Sequence, residues 1–318
     1  MSTVAANAFT DASGGNTATI NTYAPGPGNM QGKNKFINGA FGIDQRNGGA
    51  AQTITAAAAL AYTGDRWYAY CTGANVTGQR VAGTAPNQYN YQFTGAASVT
   101  KIGFAQRIEA ANSLDLAGST AVLSVQLANS LLTTVTWTAW YANTTDSFGP
   151  LAGLTRTQIA TGTFTVTSTL TRYSTTISIP GAATTGIEVE FSVGAQTSGT
   201  WTIGTAQLEI GSVATPFERR LIGQELAFCQ RYYETGGTNS VWSGNTTSGS
   251  AYSVTCRFAV VKRAAPTVTP TEFANSGFGA GDPTVSSTNT NQFWASKTSN
   301  LTVNGGYFQF FWNAVIEL

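Results

Sequence analysis

No histidine occurs anywhere in the 318 residues. That absence removes Ser-His-Asp and Cys-His hydrolysis, His-Glu-x-x-His metalloproteases and His-ligated zinc. Only three cysteines are present, Cys71, Cys229 and Cys256, far apart and outside any Cys-x-x-Cys pattern. Their spacing builds no local zinc site, and they read as buried thiols in a protein made in a reducing compartment. Charged residues make up 10% of the chain and the net charge is +1. A polyanion binder needs clustered Lys and Arg to displace counterions. The densest basic spots, Arg219-Arg220 and Lys262-Arg263, are too small for that, which argues against nucleic acid as a partner. No apolar run approaches the roughly 20 residues that a bilayer requires, so membrane insertion is not expected. The opening Met1-Ser-Thr-Val-Ala-Ala-Asn7 lacks a basic start and an apolar stretch and does not read as a secretory signal. A phosphate-binding Gly-x-x-x-x-Gly-Lys loop is also missing. Gly277-Phe-Gly-Ala-Gly281 has no following Lys or helix and reads as a turn cluster.

What the chain does have is Thr, Ser, Ala, Asn and Gly in abundance, with many aromatics, a mixture typical of short strands joined by turns. Ile187, Val189, Phe191 and Val193 alternate with Glu188, Glu190 and Ser192, the period-2 pattern of a strand with one dry and one wet face. Leu123, Val125 and Leu127 repeat it. So do Val135, Trp137, Ala139 and Tyr141, and then Tyr173, Thr175, Ile177 and Ile179. Between Trp201-Ile203 and Ala206-Leu208-Ile210 the apolar set changes phase, which requires one extra residue near Gly204-Thr205, a β-bulge. Many strands with no helical pattern between them predict a mainly β fold: two packed antiparallel sheets, a jelly-roll-like sandwich, over residues 34–214.

A bridging helix is expected over 215–234. Thr215 can cap it and Pro216 suits its first turn. Leu221, Ile222, Leu226, Cys229, Tyr232 and Tyr233 supply a dry stripe, and Gly236-Gly237 stops it. Glu218 near the start and Arg231 near the end suit the macrodipole. Residues 235–318 return to strand character as a C-terminal β domain. Its last strand is apolar on both faces, with Phe308, Phe310, Trp312, Ala314 and Ile316 on one and Tyr307, Phe311 and Val315 on the other. Such a strand needs cover on both sides. Either it is central within one subunit, or a second copy supplies the cover. Residues 1–33 show no periodicity and are rich in Gly, Asn, Thr and Pro, and alone they cannot bury enough apolar surface to order themselves.

Two segments bracket the sandwich. One is Asn34-Lys-Phe-Ile-Asn-Gly-Ala-Phe-Gly-Ile-Asp-Gln-Arg46, leading to Tyr62-Thr-Gly-Asp-Arg-Trp67. The other is Gln207-Leu-Glu-Ile-Gly211, running into Thr215-Pro-Phe-Glu-Arg-Arg220 and Phe228-Cys-Gln-Arg-Tyr-Tyr233. In this order they resemble a module common in bacteriophage tail fibre and related virion appendage proteins. The resemblance implies a fold similar to carbohydrate-binding modules, with Trp67 and Phe217 buried as structural ends. It also implies an N-terminal arm that docks on other virion proteins, a homotrimer, and a place in the virion after assembly in the host bacterial cytoplasm. No cofactor follows from it. Similar jelly-roll modules often hold calcium, but the scattered acids Asp44, Asp65, Glu109, Asp115 and Glu209 show no ligand spacing that supports a metal site.

For chemistry, the best local carboxylate pair is Glu188 and Glu190, roughly 7 Å apart on one strand face and inside the separation used by inverting glycosidases. A working acid also needs a cleft and a raised pKa, and charges on the outer face of a sandwich strand are ordinarily just solvated, so no catalytic residue is assigned. Binding is easier to motivate, since aromatic rings offer flat apolar area to sugars. Trp140 is out of phase with the core residues of its strand. Trp242 sits in what reads as a polar loop, Thr238–Thr246. Phe293 and Trp294 are adjacent, so one of them faces outward. These four are the glycan-binding candidates. The resulting expectation is a non-enzymatic virion protein of the tail fibre class that attaches to a bacterial surface glycan. Its alternatives are a head fibre or tail decoration that binds no glycan, and a polysaccharide depolymerase.

Overall fold

The computed structural model describes residues 32–56 and 60–318. All of the expected N-terminal arm except residues 32 and 33 lies outside the described residues. From Gln52 to Ile210 the alternating segments form twelve strands in two antiparallel sheets. One sheet has the order β1 (Gln52–Ile54), β4 (Val76–Ala82), β5 (Tyr89–Thr94), β12 (Thr200–Ile210), β7 (Thr120–Asn129) and β10 (Thr171–Ser178). The other runs β2 (Ala61–Gly64), β3 (Trp67–Thr72), β6 (Lys101–Ile108), β11 (Ile187–Val193), β8 (Thr134–Ala142) and β9 (Arg156–Thr165). Their facing sides share one core, in which Leu123, Val125 and Leu127 of the first sheet meet Phe104, Val189 and Phe191 of the second. At roughly 1.5–3 kcal/mol for each fully buried large apolar side chain, this shared layer drives the sandwich. The expected bulge is present: the register of β12 on β7 shifts between Ile203 and Ala206, which keeps both residues in the core. Gly39 packs against it so closely that a Cβ there would lie 2.3 Å from the Ala206 carbonyl oxygen.

The helix differs from expectation. A single helical turn, α1 (Ala110–Ser113), follows β6, and the bridging helix, α2, covers only Ile222–Gln230. Residues 215–221 are not helical because the sandwich claims their hydrogen-bonding groups. Thr215 donates through N and Oγ1 to Glu209 (2.9 and 2.6 Å), and the Glu218 amide donates to Gln207 Oε1 (2.7 Å). Glu218 does not sit at a helix start. Its carboxylate instead accepts the amides of Gly32 and Asn34. The supposed dry stripe is split accordingly: Cys229, Tyr232 and Tyr233 are buried, whereas Leu221 is 82% exposed. Gly236 does not end the helix either. It lies within the next strand, where the Trp312 indole rests against it and leaves no room for a Cβ.

The C-terminal domain is a small sandwich of two three-stranded sheets. One is β13 (Tyr233–Thr246), β18 (Val303–Val315) and β15 (Thr267–Ser276). The other is β14 (Ala251–Arg257), β17 (Gln292–Thr298) and β16 (Thr284–Ser286). Phe258, Phe278, Phe293, Phe308, Phe310 and Trp312 fill the space between them. The last strand is therefore central within its own subunit, with one face buried and the other open. All three cysteines are buried and free, and burial raises the pKa of each thiol. Among the described residues, no helix is long and apolar enough to cross a membrane.

Candidate functional site

The bracketing segments converge on a joint between the two domains. Asn38, in a left-handed conformation (φ 58°), uses its amide to clasp both the N–H and the carbonyl of Ile43 and to reach the Asp65 carbonyl. Trp67 donates to the Asn38 carbonyl (3.1 Å) and stacks on Phe104 at 4.9 Å. Arg66 lies on the Tyr232 ring at 3.4 Å and pairs with Glu317, while Arg46 lies on Tyr233 at 3.8 Å and reaches Glu317 at 2.6 Å. On the other flank Glu109 receives Arg231 and Arg263, each at 3.1 Å. These residues fasten the C-terminal domain to the sandwich. Trp67 is fully buried as expected; Phe217 is only partly covered, with Arg219 over its ring.

Asp65 is buried in this joint. Burial pushes its carboxyl up to about 6, against the pull of the Gln45 hydrogen bonds and Arg46, and with Glu317 and Asp44 adding to the rise. The native state therefore holds this proton to higher pH than the unfolded chain does. The stability it contributes is fully present below about pH 4 and is lost as pH rises through about 6. From the ordinary value of 3.8 to about 6, the loss is about 3 kcal/mol. Urea midpoints of the wild type and Asp65→Asn between pH 4 and 8 should show a difference curve with this slope; parallel curves would refute it.

The outer face of the second sheet corrects the expectation for Glu188 and Glu190. Neither is solvated: all seven residues of β11 are buried, and Glu188 is 0% exposed. Glu188 lies between Arg107 (2.7 Å) and Arg156. Glu190 accepts from the Tyr70 hydroxyl (2.6 Å) and from Lys101 (2.9 Å). Tyr70 reaches it by lying flat over Gly103, where a Cβ would come within 2.1 Å of the ring. Burial alone would raise the Glu190 pKa, but Lys101, Tyr70 and Arg156 outweigh it and hold the group below the ordinary carboxylate range. A carboxylate held ionised is unsuited to donate a proton to a leaving group. Arg107, in turn, donates to the carbonyls of Gly149 and Leu318, so a loop and the chain's last residues cover this end of the face.

The four aromatic candidates fall in four different settings. Trp140 points away from the core, as expected, but is half-buried with Arg156 over its ring at 4.3 Å, joined to the charge cluster. Trp242 is not in a loop. It pairs with Phe308 within β13 and packs on Tyr252, Phe278 and Phe308, because the strand runs through the polar stretch that reads as a turn. Phe293 is fully buried and is excluded as a platform. Trp294 is the outward member of that pair, 44% exposed on the middle strand of its sheet. Thr255 stands directly opposite it on one side and Ser286 on the other. One pair further along, Ser296 lies between Ser253 and Thr284. The result is an indole plane ringed by exposed hydroxyls, able to stack on an apolar ring face and hydrogen-bond around it. Adjacency within the chain locates Trp294, but its hydroxyl neighbours come from other strands and only the register reveals them. Among the described residues, no cluster of three or more acids or cysteines could hold a metal ion.

No family model matches the chain, and no curated protein matches its sequence. Among solved structures, a CBM4 structure is similar over 55% of this chain and 98% of its own (15% identity, TM-score 0.35). The family 22 carbohydrate binding module of Clostridium thermocellum Xyn10B is similar over 47% and 89% (14% identity, TM-score 0.33). The enzymatically active domain of bacteriophage CBA120 tailspike protein 4 is similar over 46% of this chain and 19% of its own (16% identity, TM-score 0.33). The sandwich assignment rests on the sheet order and register above, not on these overlaps.

Proposed function

We propose that this protein is a non-catalytic attachment protein of a bacteriophage particle, of the tail fibre class, and that it binds a bacterial surface glycan through the Trp294 face. The observation that carries the binding assignment is the exposed indole on a middle strand with hydroxyls on both sides. Large flat apolar area beside polar donors suits a sugar ring. The bracketing segments support the virion setting, with the N-terminal arm docking on other virion proteins and the chain acting as a homotrimer. Repetition of one shallow site over linked subunits would raise effective affinity. Nucleic acid is a poor fit, since of the densest basic spots only Arg219 is left exposed, while Arg220 is spent on Glu225 and two backbone carbonyls, Lys262 on Glu234, and Arg263 on Glu109. Glu190, held ionised, and Glu188, enclosed between Arg107 and Arg156, speak against depolymerase activity.

On a glycan array built from host surface polysaccharides, the wild type should bind and Trp294→Ala should lose at least ~10-fold in apparent affinity. The variant should unfold within about 0.5 kcal/mol of the wild type, because the ring is surface-exposed. Binding that survives the substitution would discard the site. Absence of any glycan binding would favour a head fibre or tail decoration, and release of reducing sugar would establish a depolymerase.

A further inference from the structure

Ala206 and Leu208 of β12 enter the core, so Gln207 and Glu209 share the strand's other face. Both are 0% exposed there, because the chain beyond the strand folds back over them. Thr215 and Glu218 of that returning segment close a compact network. The Glu209 carboxylate accepts the Thr215 hydroxyl (2.6 Å) on one oxygen, and the Thr215 amide (2.9 Å) and the Gln207 side-chain amide (2.8 Å) on the other. The Gln207 side-chain oxygen accepts the Glu218 amide (2.7 Å). Thr215 Oγ1 lies 3.4 Å from Gln207 Nε2, and Lys33 Nζ reaches the same hydroxyl oxygen at 2.5 Å.

We propose that these residues form an intramolecular ester between Thr215 Oγ1 and Cδ, the side-chain carbonyl carbon, of Gln207. Each part of an acyl transfer is in place. Glu209 takes the hydroxyl proton as Oγ1 attacks Cδ, and the Lys33 ammonium favours the negative charge that develops on Oγ1. The Glu218 N–H stabilises the oxyanion that forms on Gln207 Oε1. Collapse breaks the Cδ–Nε2 bond, and Glu209 hands the proton to the nitrogen, which leaves as ammonia. Nothing is oxidised or reduced, and no further reactant is needed. Amides resist attack, but groups held in position react as if at concentrations on the order of 10⁵ M or more. Burial keeps water from the ester, while the ammonia escapes into dilute solution. The cross-link fixes the point where the chain leaves the sandwich for the C-terminal domain, and it does not depend on glycan binding.

The intact mass of the full chain, measured in denaturant, should fall short of its sequence mass by one ammonia. Thr215→Val, which lacks the nucleophile, and Glu209→Gln, which lacks the base, should both keep that ammonia. Chymotryptic cleavage of the wild type after Leu208 should leave the flanking pieces joined, and hydroxylamine, which cleaves esters, should part them. A wild type at full mass would overturn the proposal and leave hydrogen bonds alone to hold the network. So would an ammonia loss that maps to a succinimide at an Asn-Gly pair such as Asn304-Gly305 instead of to Gln207 and Thr215. The wild-type reading needs no variant, so it stands even if a substitution prevents folding.

Discussion

Trp67→Ala is expected to remove about 3–5 kcal/mol of stability, the range for emptying a buried aromatic site. The indole stacks on Phe104 at 4.9 Å and contacts Phe36 at 5.2 Å and Phe41 at 5.6 Å. Phe36 and Phe41 come from the segment that precedes the first strand, while Phe104 comes from β6. A cavity here would loosen the segment from the sheet as well as lose contact area. The Asn38 carbonyl would also lose its Nε1–H partner inside the protein, a further desolvation cost. Set against the 5–15 kcal/mol that typically holds a domain folded, the loss should be plain in the urea midpoint. Trp67→Phe, which keeps most of the apolar area but not the donor, should lose markedly less. A change below about 1 kcal/mol for Trp67→Ala would mean that the bracketing segment does not depend on this ring.

The second large effect is expected at Glu188. Glu188→Leu should destabilise by about 3–5 kcal/mol, because removing one partner of a buried ion pair leaves the other charge uncompensated. Arg107 and Arg156, whose side chains are 4% and 8% exposed, would both face a hydrocarbon chain. Part of the Arg107 guanidinium would still reach the Gly149 and Leu318 carbonyls, which places the effect towards the lower end of that range. Adding Arg107→Met to the same chain should recover stability, since a well-packed apolar replacement of a buried pair is often neutral. Chemical denaturation of the two single variants and the double variant reads this directly. If Glu188→Leu were as stable as the wild type, the face would be wetter than its burial indicates. Loss of a polysaccharide-cleaving activity on Glu188→Gln, with stability retained, would instead make the carboxylate catalytic.

Much of the architecture was legible because strand phase is a local property. The alternation through Leu123–Leu127 and Ile187–Val193, the phase change at Gly204-Thr205 and the apolar last strand each depend only on neighbouring residues, and all appear in the structure. Tertiary structure decided what covers each face. Glu188 and Glu190 read as wet because their strand alternates, yet Tyr70 from β3, Lys101 and Arg107 from β6 and Arg156 from β9 neutralise and cover them. The Thr215–Arg220 stretch carries good helix-starting residues, but partners on β12 and near Asn34 took its hydrogen-bonding groups first. Trp242 was hidden in a polar, glycine-bearing run because its pairing with Phe308 is long-range. Period and composition belonged to the sequence itself. Burial, charge pairing and the hydroxyl ring around Trp294 came from registers between distant strands, which no local pattern encodes.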